Sequence, residues 1–332
     1  MSLDPVLQQL LSSVPLDVPR PVDWRAMRSA TRSLLPLLVR PDSLLPVASV
    51  EDLEIPGEEG IVNARVYRPL QAAQMTLIYI HGGGWTGGDL DTVDHTVRKL
   101  CHDLPALVVS CTYRLAPEHP FPAAYDDALA AVRWVLQNIE VLGGDAASVV
   151  IAGDSAGGNL AAAVALALRD TEPAGIGPLP SIKAQLLLYP AVNLREEAFA
   201  TASCLADADP ALRKDMLHEC RAAYLQNQSA DDWRVSPLTA ELGGLPPAVV
   251  VVVSVDPLRD DGVEYAARLQ ATGVHAELIE FPHLTHGFVH LTPVVPAAKV
   301  AFDEVIDRFR TLAAHGIATP LNTIEHTAKE RA

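Results

Sequence analysis

The sequence predicts an α/β protein, with a mostly parallel sheet covered by helices on both faces. Three observations predict it. Several strand-length runs are apolar at every position, as strands buried on both faces require. Helix-like segments stand between these runs, as a βαβ series demands. Proline-broken helical stretches precede the series and interrupt it once.

The elements follow in order. In residues 1–50, Leu3, Val6, Leu7, Leu10 and Leu11 recur at helical spacing. A second helical stretch runs from about Asp23 to Leu38, and prolines at 15, 19, 21, 36, 41 and 46 divide the region into short pieces. The strand-like runs are Thr76–Ile80, Ala106–Cys111, Ser148–Ala152, Lys183–Tyr189, Ala248–Val255 and His275–Phe281. The helix-like segments are Asp94–Cys101, Ala123–Leu142, Ala156–Arg169, Asp261–Ala271 and Pro296–His315. Residues 194–235 break the alternation with a second helical context. The expected division is an N-terminal helical segment over 1–50, core over 51–193, a helical insertion over 194–235, core over 236–315 and a mobile polar tail over 316–332.

Composition narrows the function classes. The chain has 332 residues, 49% of them hydrophobic, enough to bury a core without a metal or disulfide. A net charge of −16 argues against nucleic acid, whose phosphates need a basic surface, and against anionic lipid. The four cysteines, at 101, 111, 204 and 220, form no C-x-x-C pair and read as buried thiols. Residues 1–16 carry Asp4 ahead of any Lys or Arg, unlike a secretory leader, and the longest apolar runs are too short to span a bilayer. A cytoplasmic protein without membrane insertion is the simplest expectation.

The chemistry-bearing residues lie where strands end. Gly153-Asp154-Ser155-Ala156-Gly157 fits G-x-S-x-G, with a buried strand before it and a strong helix former after it. That context predicts a sharp turn exposing the Ser155 hydroxyl as a nucleophile. The positive end of the following helix faces the site where negative charge develops. His81-Gly82-Gly83-Gly84-Trp85 follows another strand, and its glycines free the backbone to aim N–H groups at a ligand oxygen. The alternative is a flexible turn or a phosphate-cradling loop, which the lack of a following G-K-[ST] disfavours.

Enzymes with this nucleophile turn carry their acid and then their histidine after the serine. Asp256 stands at the carboxyl end of the valine strand; Asp260 and Asp261 read instead as first-turn residues of the next helix. His283, His286 and His290 follow the last strand. Pro282 and Gly287 make that segment a loop, which disfavours a metal site. His286, in Thr285-His286-Gly287-Phe288, is the best base. His81 precedes the serine and reads as an anchor of the glycine loop.

Together HGGGW (81–85), YRLAPEHPFPAAYDDA (113–128), GDSAGGNLAA (153–162), DPLRD (256–260) and THGF (285–288) resemble the hormone-sensitive-lipase-like (bacterial family IV) esterases of the α/β-hydrolase superfamily. The resemblance implies an α/β-hydrolase fold with a helical cap, a triad of Ser155, Asp256 and His286, and an oxyanion hole from the N–H groups of Gly83, Gly84 and Ala156. It implies hydrolysis of short- to medium-chain carboxylic esters, small molecules, through an acyl-enzyme and without a cofactor. It also implies cis prolines in the 113–122 stretch, best at Pro117 and Pro122, and a homodimer formed through an edge strand. An arylformamidase-like amide hydrolase and a non-catalytic receptor are the alternatives on the same fold. Thr112 stands where the family usually has Asp, and His283 where it often has Gly. Trp85, Leu205 and Leu217 are candidates for substrate binding, with plain packing as the equal reading. Glu118 reads as an ion-pair residue.

Overall fold

The computed structural model describes residues 3–13, 18, 20–170 and 179–318. Its sheet contains β1 (Ser49–Gly57), β2 (Gly60–Arg68), β3 (Met75–Ile80), β4 (Ala106–Cys111), β5 (Val149–Asp154), β6 (Ile182–Leu188), β7 (Ala248–Val253) and β8 (Ala276–Phe281). Their spatial order is β1-β2-β4-β3-β5-β6-β7-β8. β1 pairs with β2, and β2 with β4, antiparallel; every other neighbouring pair is parallel. β3, β4, β5 and β7 are buried at every position, as their unbroken apolar sequences require.

The β1–β2 hairpin is absent from the strand runs read from the sequence. Its second strand alternates instead: Val62, Ala64 and Val66 are buried, while Ile61 and Asn63 face solvent. Asn63, Arg65 and Arg68 interrupt the apolar positions, so no continuous apolar run exists.

Helices cover both faces. α4 (Ala123–Asn138), α5 (Ala156–Asp170) and α8 (Arg259–Ala271) share one core with the sheet. α3 (Asp94–Asp103), α9 (Pro296–Ala318) and Leu7 of α1 (Pro5–Ser12) belong to the core on the other face. α4 ends four residues before the expected Leu142, in a turn closed by Gly143 and Gly144. α9 takes in residues 316–318, and the rest of the expected tail lies outside the described residues. The four cysteines are free and buried.

The N-terminal region and the insertion are helical. α2 (Trp24–Leu38) starts on Asp23, whose side chain accepts the Ala26 N–H, and it contains Pro36. That proline, expected to break the chain, is accommodated in the exposed last turn, where losing one hydrogen bond is least damaging. Between β6 and β7 stand α6 (Ala202–Ala206) and α7 (Lys214–Leu225). The Ala116–Pro117 and Phe121–Pro122 peptides are cis, as is Arg20–Pro21. Among the described residues no helix is long and apolar enough to cross a membrane.

Candidate active site

Ser155 sits between β5 and α5 with φ +54°, in the left-handed region that a non-glycine residue seldom occupies. The turn tolerates no bulk. A Cβ on Gly153 would stand 2.3 Å from the Gly157 carbonyl oxygen, and one on Gly157 would stand 2.1 Å from that of Ile80. The two small positions of G-x-S-x-G are therefore steric requirements of a helix packed against its own strand and against the end of β3. The Ser155 N–H donates to the Leu188 carbonyl at 2.8 Å and ties the turn to β6.

Three of the residues singled out in the sequence meet here. His286 Nε2 lies 2.9 Å from Ser155 Oγ, and His286 Nδ1 lies 2.6 Å from Asp256 Oδ2. Asp256 is fully buried, and its other oxygen accepts the Leu258 N–H at 2.8 Å. A carboxylate only accepts, so Nδ1 carries the imidazole proton and Nε2 is left to accept from the serine hydroxyl. Burial works against the histidine cation, but the charge and hydrogen bond of Asp256 outweigh it and raise its pKa.

The glycine loop lies beside this relay. Among the described residues the N–H groups of Gly83, Gly84 and Ala156 meet no protein acceptor. Ala156 is the first residue of α5, where an N–H has no partner within the helix. The loop is held from below. Asp154 Oδ1 accepts the Gly82 N–H at 2.9 Å and the Tyr79 hydroxyl at 2.6 Å. His290 Nε2 donates to Asp154 Oδ2 at 2.9 Å. Burial opposes the Asp154 charge, but His290 and Tyr79 hold its pKa below the ordinary carboxylate value. His81 is buried, stacks on Tyr113 at 4.4 Å and donates from Nδ1 to the Gly82 carbonyl at 2.7 Å. It supports the loop.

The N-terminal helix and the insertion both reach the site. Arg28 of α2 donates to the Thr86 and Ala116 carbonyls at 2.6 and 2.7 Å and pairs with Glu118 at 2.7 Å. The hydrogen bond from Arg28 brings the Glu118 pKa down to about 2. From the insertion, Asp209 accepts the backbone N–H of His286 at 2.6 Å. The three substrate-binding candidates differ in their surroundings. Trp85 is 1% exposed and stacks on Tyr224 at 4.5 Å, a packing position. Leu205 is 62% exposed, and Leu217 packs beside Ala198, Phe199 and Cys204.

The three loop histidines do not converge. His283 is exposed, with its carbonyl accepting the Asp4 N–H, while His286 and His290 contact different carboxylates. Among the described residues no group of three or more His, Cys, Asp or Glu side chains is placed to hold a metal. Asp154, Asp209 and Arg28 are the site residues sequence reasoning missed. Asp154 carried a signal, as the variable position inside G-x-S-x-G. Asp209 and Arg28 carried none, since nothing local separates them from surface charges.

The chain is similar to known proteins over most of its length. The family described as alpha/beta hydrolase fold matches residues 77–290. The carboxylesterase NlhH of Mycobacterium tuberculosis is 39% identical over 90% of this chain and 92% of its own. The esterase LipI of the same organism is 38% identical over 95% and 96%. The structure of a hyperthermophilic esterase from the archaeon Pyrobaculum calidifontis superposes with a TM-score of 0.87 at 36% identity, covering 96% of this chain and all of that one.

Proposed function

The chain belongs to the hormone-sensitive-lipase-like branch of the alpha/beta hydrolases and is a carboxylic ester hydrolase, and on that premise we propose that it works through Ser155, Asp256 and His286 by way of an acyl-enzyme. The unbroken hydrogen-bonded series from Asp256 through His286 to Ser155 carries this reading. His286 Nε2 takes the hydroxyl proton as Ser155 Oγ attacks the ester carbonyl. Asp256 keeps the imidazole in the required tautomer and stabilises its cation. The N–H groups of Gly83, Gly84 and Ala156 receive the oxyanion. His286 then returns the proton to the departing alcohol, and the same cycle with water releases the acid.

The substrates we propose are short- to medium-chain esters, and the helices of 1–50 and 194–235 form the cap that receives them. Two contacts support the cap: Arg28 of α2 grips the loop after HGGGW, and Asp209 grips the His286 backbone.

Ser155→Ala tests the proposal. Turnover of p-nitrophenyl butyrate should drop by about 10⁴-fold or more, and covalent labelling by a fluorophosphonate should vanish with the fold intact. A folded S155A protein that keeps most of its turnover or still takes the label would sink it.

A further inference from the structure

Asp209 is 1% exposed, and it comes from the segment between α6 and α7, far in sequence from the residues it touches. Its Oδ2 accepts the His286 N–H at 2.6 Å. Its Oδ1 accepts the Ala211 N–H at 2.8 Å and the hydroxyl of Thr285. A buried carboxylate is expensive unless its lone pairs are met, and three donors from two segments meet these. Two of the three donors belong to the turn that carries the imidazole. Burial and the nearby Asp256 charge raise the Asp209 pKa, while the His286 N–H and Thr285 hydroxyl work to keep it ionised.

We infer that Asp209 is a positioning residue for the hydrolysis reaction, locking the backbone of the 285–286 turn so that the His286 imidazole stays between Asp256 and Ser155, and so making the insertion a structural partner of the base. This rests on the reading of Ser155, Asp256 and His286 as the triad. A histidine rotates about its own backbone, and an error near 1 Å at Nε2 is enough to cost about 10²-fold in rate. Asp256 restrains only the ring; Asp209 restrains the peptide behind it. Among the described residues the groups facing His286 are Asp256 after β7, Asp209 in the insertion, Asp154 and Ser155 at the end of β5, and Tyr189 after β6, whose ring lies 4.7 Å away. The Asp209 charge is one of the forces favouring the protonated imidazole.

The test compares D209A, D209N and S155A with the unaltered enzyme on p-nitrophenyl butyrate, with circular dichroism and thermal melting to establish folding. D209A should lose about 10- to 100-fold in kcat with KM within about twofold. D209N keeps one acceptor for the His286 N–H and should recover part of that kcat. Both variants remove the charge, so the acid limb of the kcat/KM profile should move to lower pH in both, a change that mere loss of packing does not produce. If D209A does not fold, the size-matched D209N decides. A folded D209A or D209N with unaltered kcat and an unmoved acid limb overturns the inference, as does a fall in melting temperature alone. Retained turnover in S155A would instead bring down the triad reading, so the two failures are distinguishable.

Discussion

The carboxylate of Asp154, one residue before the nucleophile, accepts the backbone N–H of Gly82 at 2.9 Å. This contact ties the nucleophile turn to the glycine loop, beyond the end of the β3–β5 pairing that sets Ile80 against Gly153. One buried side chain therefore helps fix how the two segments lie relative to each other. Tyr79 and His290 complete its shell from β3 and from the loop that carries His286.

Asp154→Ala should accordingly destabilise the fold and impair catalysis together. Removing one member of a buried charged cluster typically costs about 3–5 kcal/mol. The urea midpoint should fall with an unchanged m-value, and the remaining folded enzyme should label more slowly with a fluorophosphonate. D154N, which keeps two acceptor lone pairs for Gly82 or Tyr79, should lose less on both measures. Equal stability of D154A and the parent would show that the cluster carries little.

Gly84 should be intolerant of a side chain for two separable reasons. Its φ is +60°, which costs an L-residue about 1–2 kcal/mol, and a Cβ there would stand 2.6 Å from Cys220 Sγ in α7. Gly84→Ala should therefore lower kcat, and adding Cys220→Ala should recover part of it by removing the sulfur. A double-mutant cycle reading about 1 kcal/mol of coupling is expected. If G84A and G84A/C220A are equally impaired, the Cys220 contact is not the source of the damage.

The pH profile of kcat/KM should fall on the acid side with a midpoint above 6.5, the ordinary histidine value, because Asp256 raises the His286 pKa against the effect of burial. The sign follows from the chemistry: the neutral imidazole is the base, so activity is lost as pH drops through that pKa. Asp256→Asn should lose about 10³- to 10⁴-fold in kcat and shift the limb toward lower pH. An acid limb centred well below 6.5 in the unaltered enzyme would contradict the arrangement.

Asp261, expected from the sequence to be a first-turn partner of the helix dipole, is 2% exposed, and burial lifts its pKa to about 7. Asn193 donates to one oxygen at 3.2 Å, and the other oxygen meets no partner among the described residues. The folded state thus holds a proton that the unfolded chain gives up from about pH 4 upward, so this group reduces stability as pH rises toward 7 and remains unfavourable above it. The rise corresponds to at most about 4 kcal/mol. Asp261→Asn should raise the melting temperature at pH 8 more than at pH 5. Equal changes at the two pH values would show that the carboxyl titrates normally.

What the sequence determined by itself was local and periodic. Unbroken apolar runs such as Ala248–Val253 declared buried parallel strands, because a strand covered on both faces has no polar positions to spare. The nucleophile turn was legible because sterics force its composition: Gly153 and Gly157 cannot carry a Cβ. Asp256 and His286 were legible because functional groups collect where strands end, in a fixed chain order. Tertiary structure decided everything that depends on which distant segments touch. Trp85 was stacked on Tyr224, more than a hundred positions along the chain. Asp261 was buried, and Asp209 was brought 77 positions along the chain to the His286 backbone. A charge in a helical insertion looks the same in sequence whether it meets water or a buried N–H, because its pattern records only its own element, and the donor that distinguishes the two cases comes from another part of the chain.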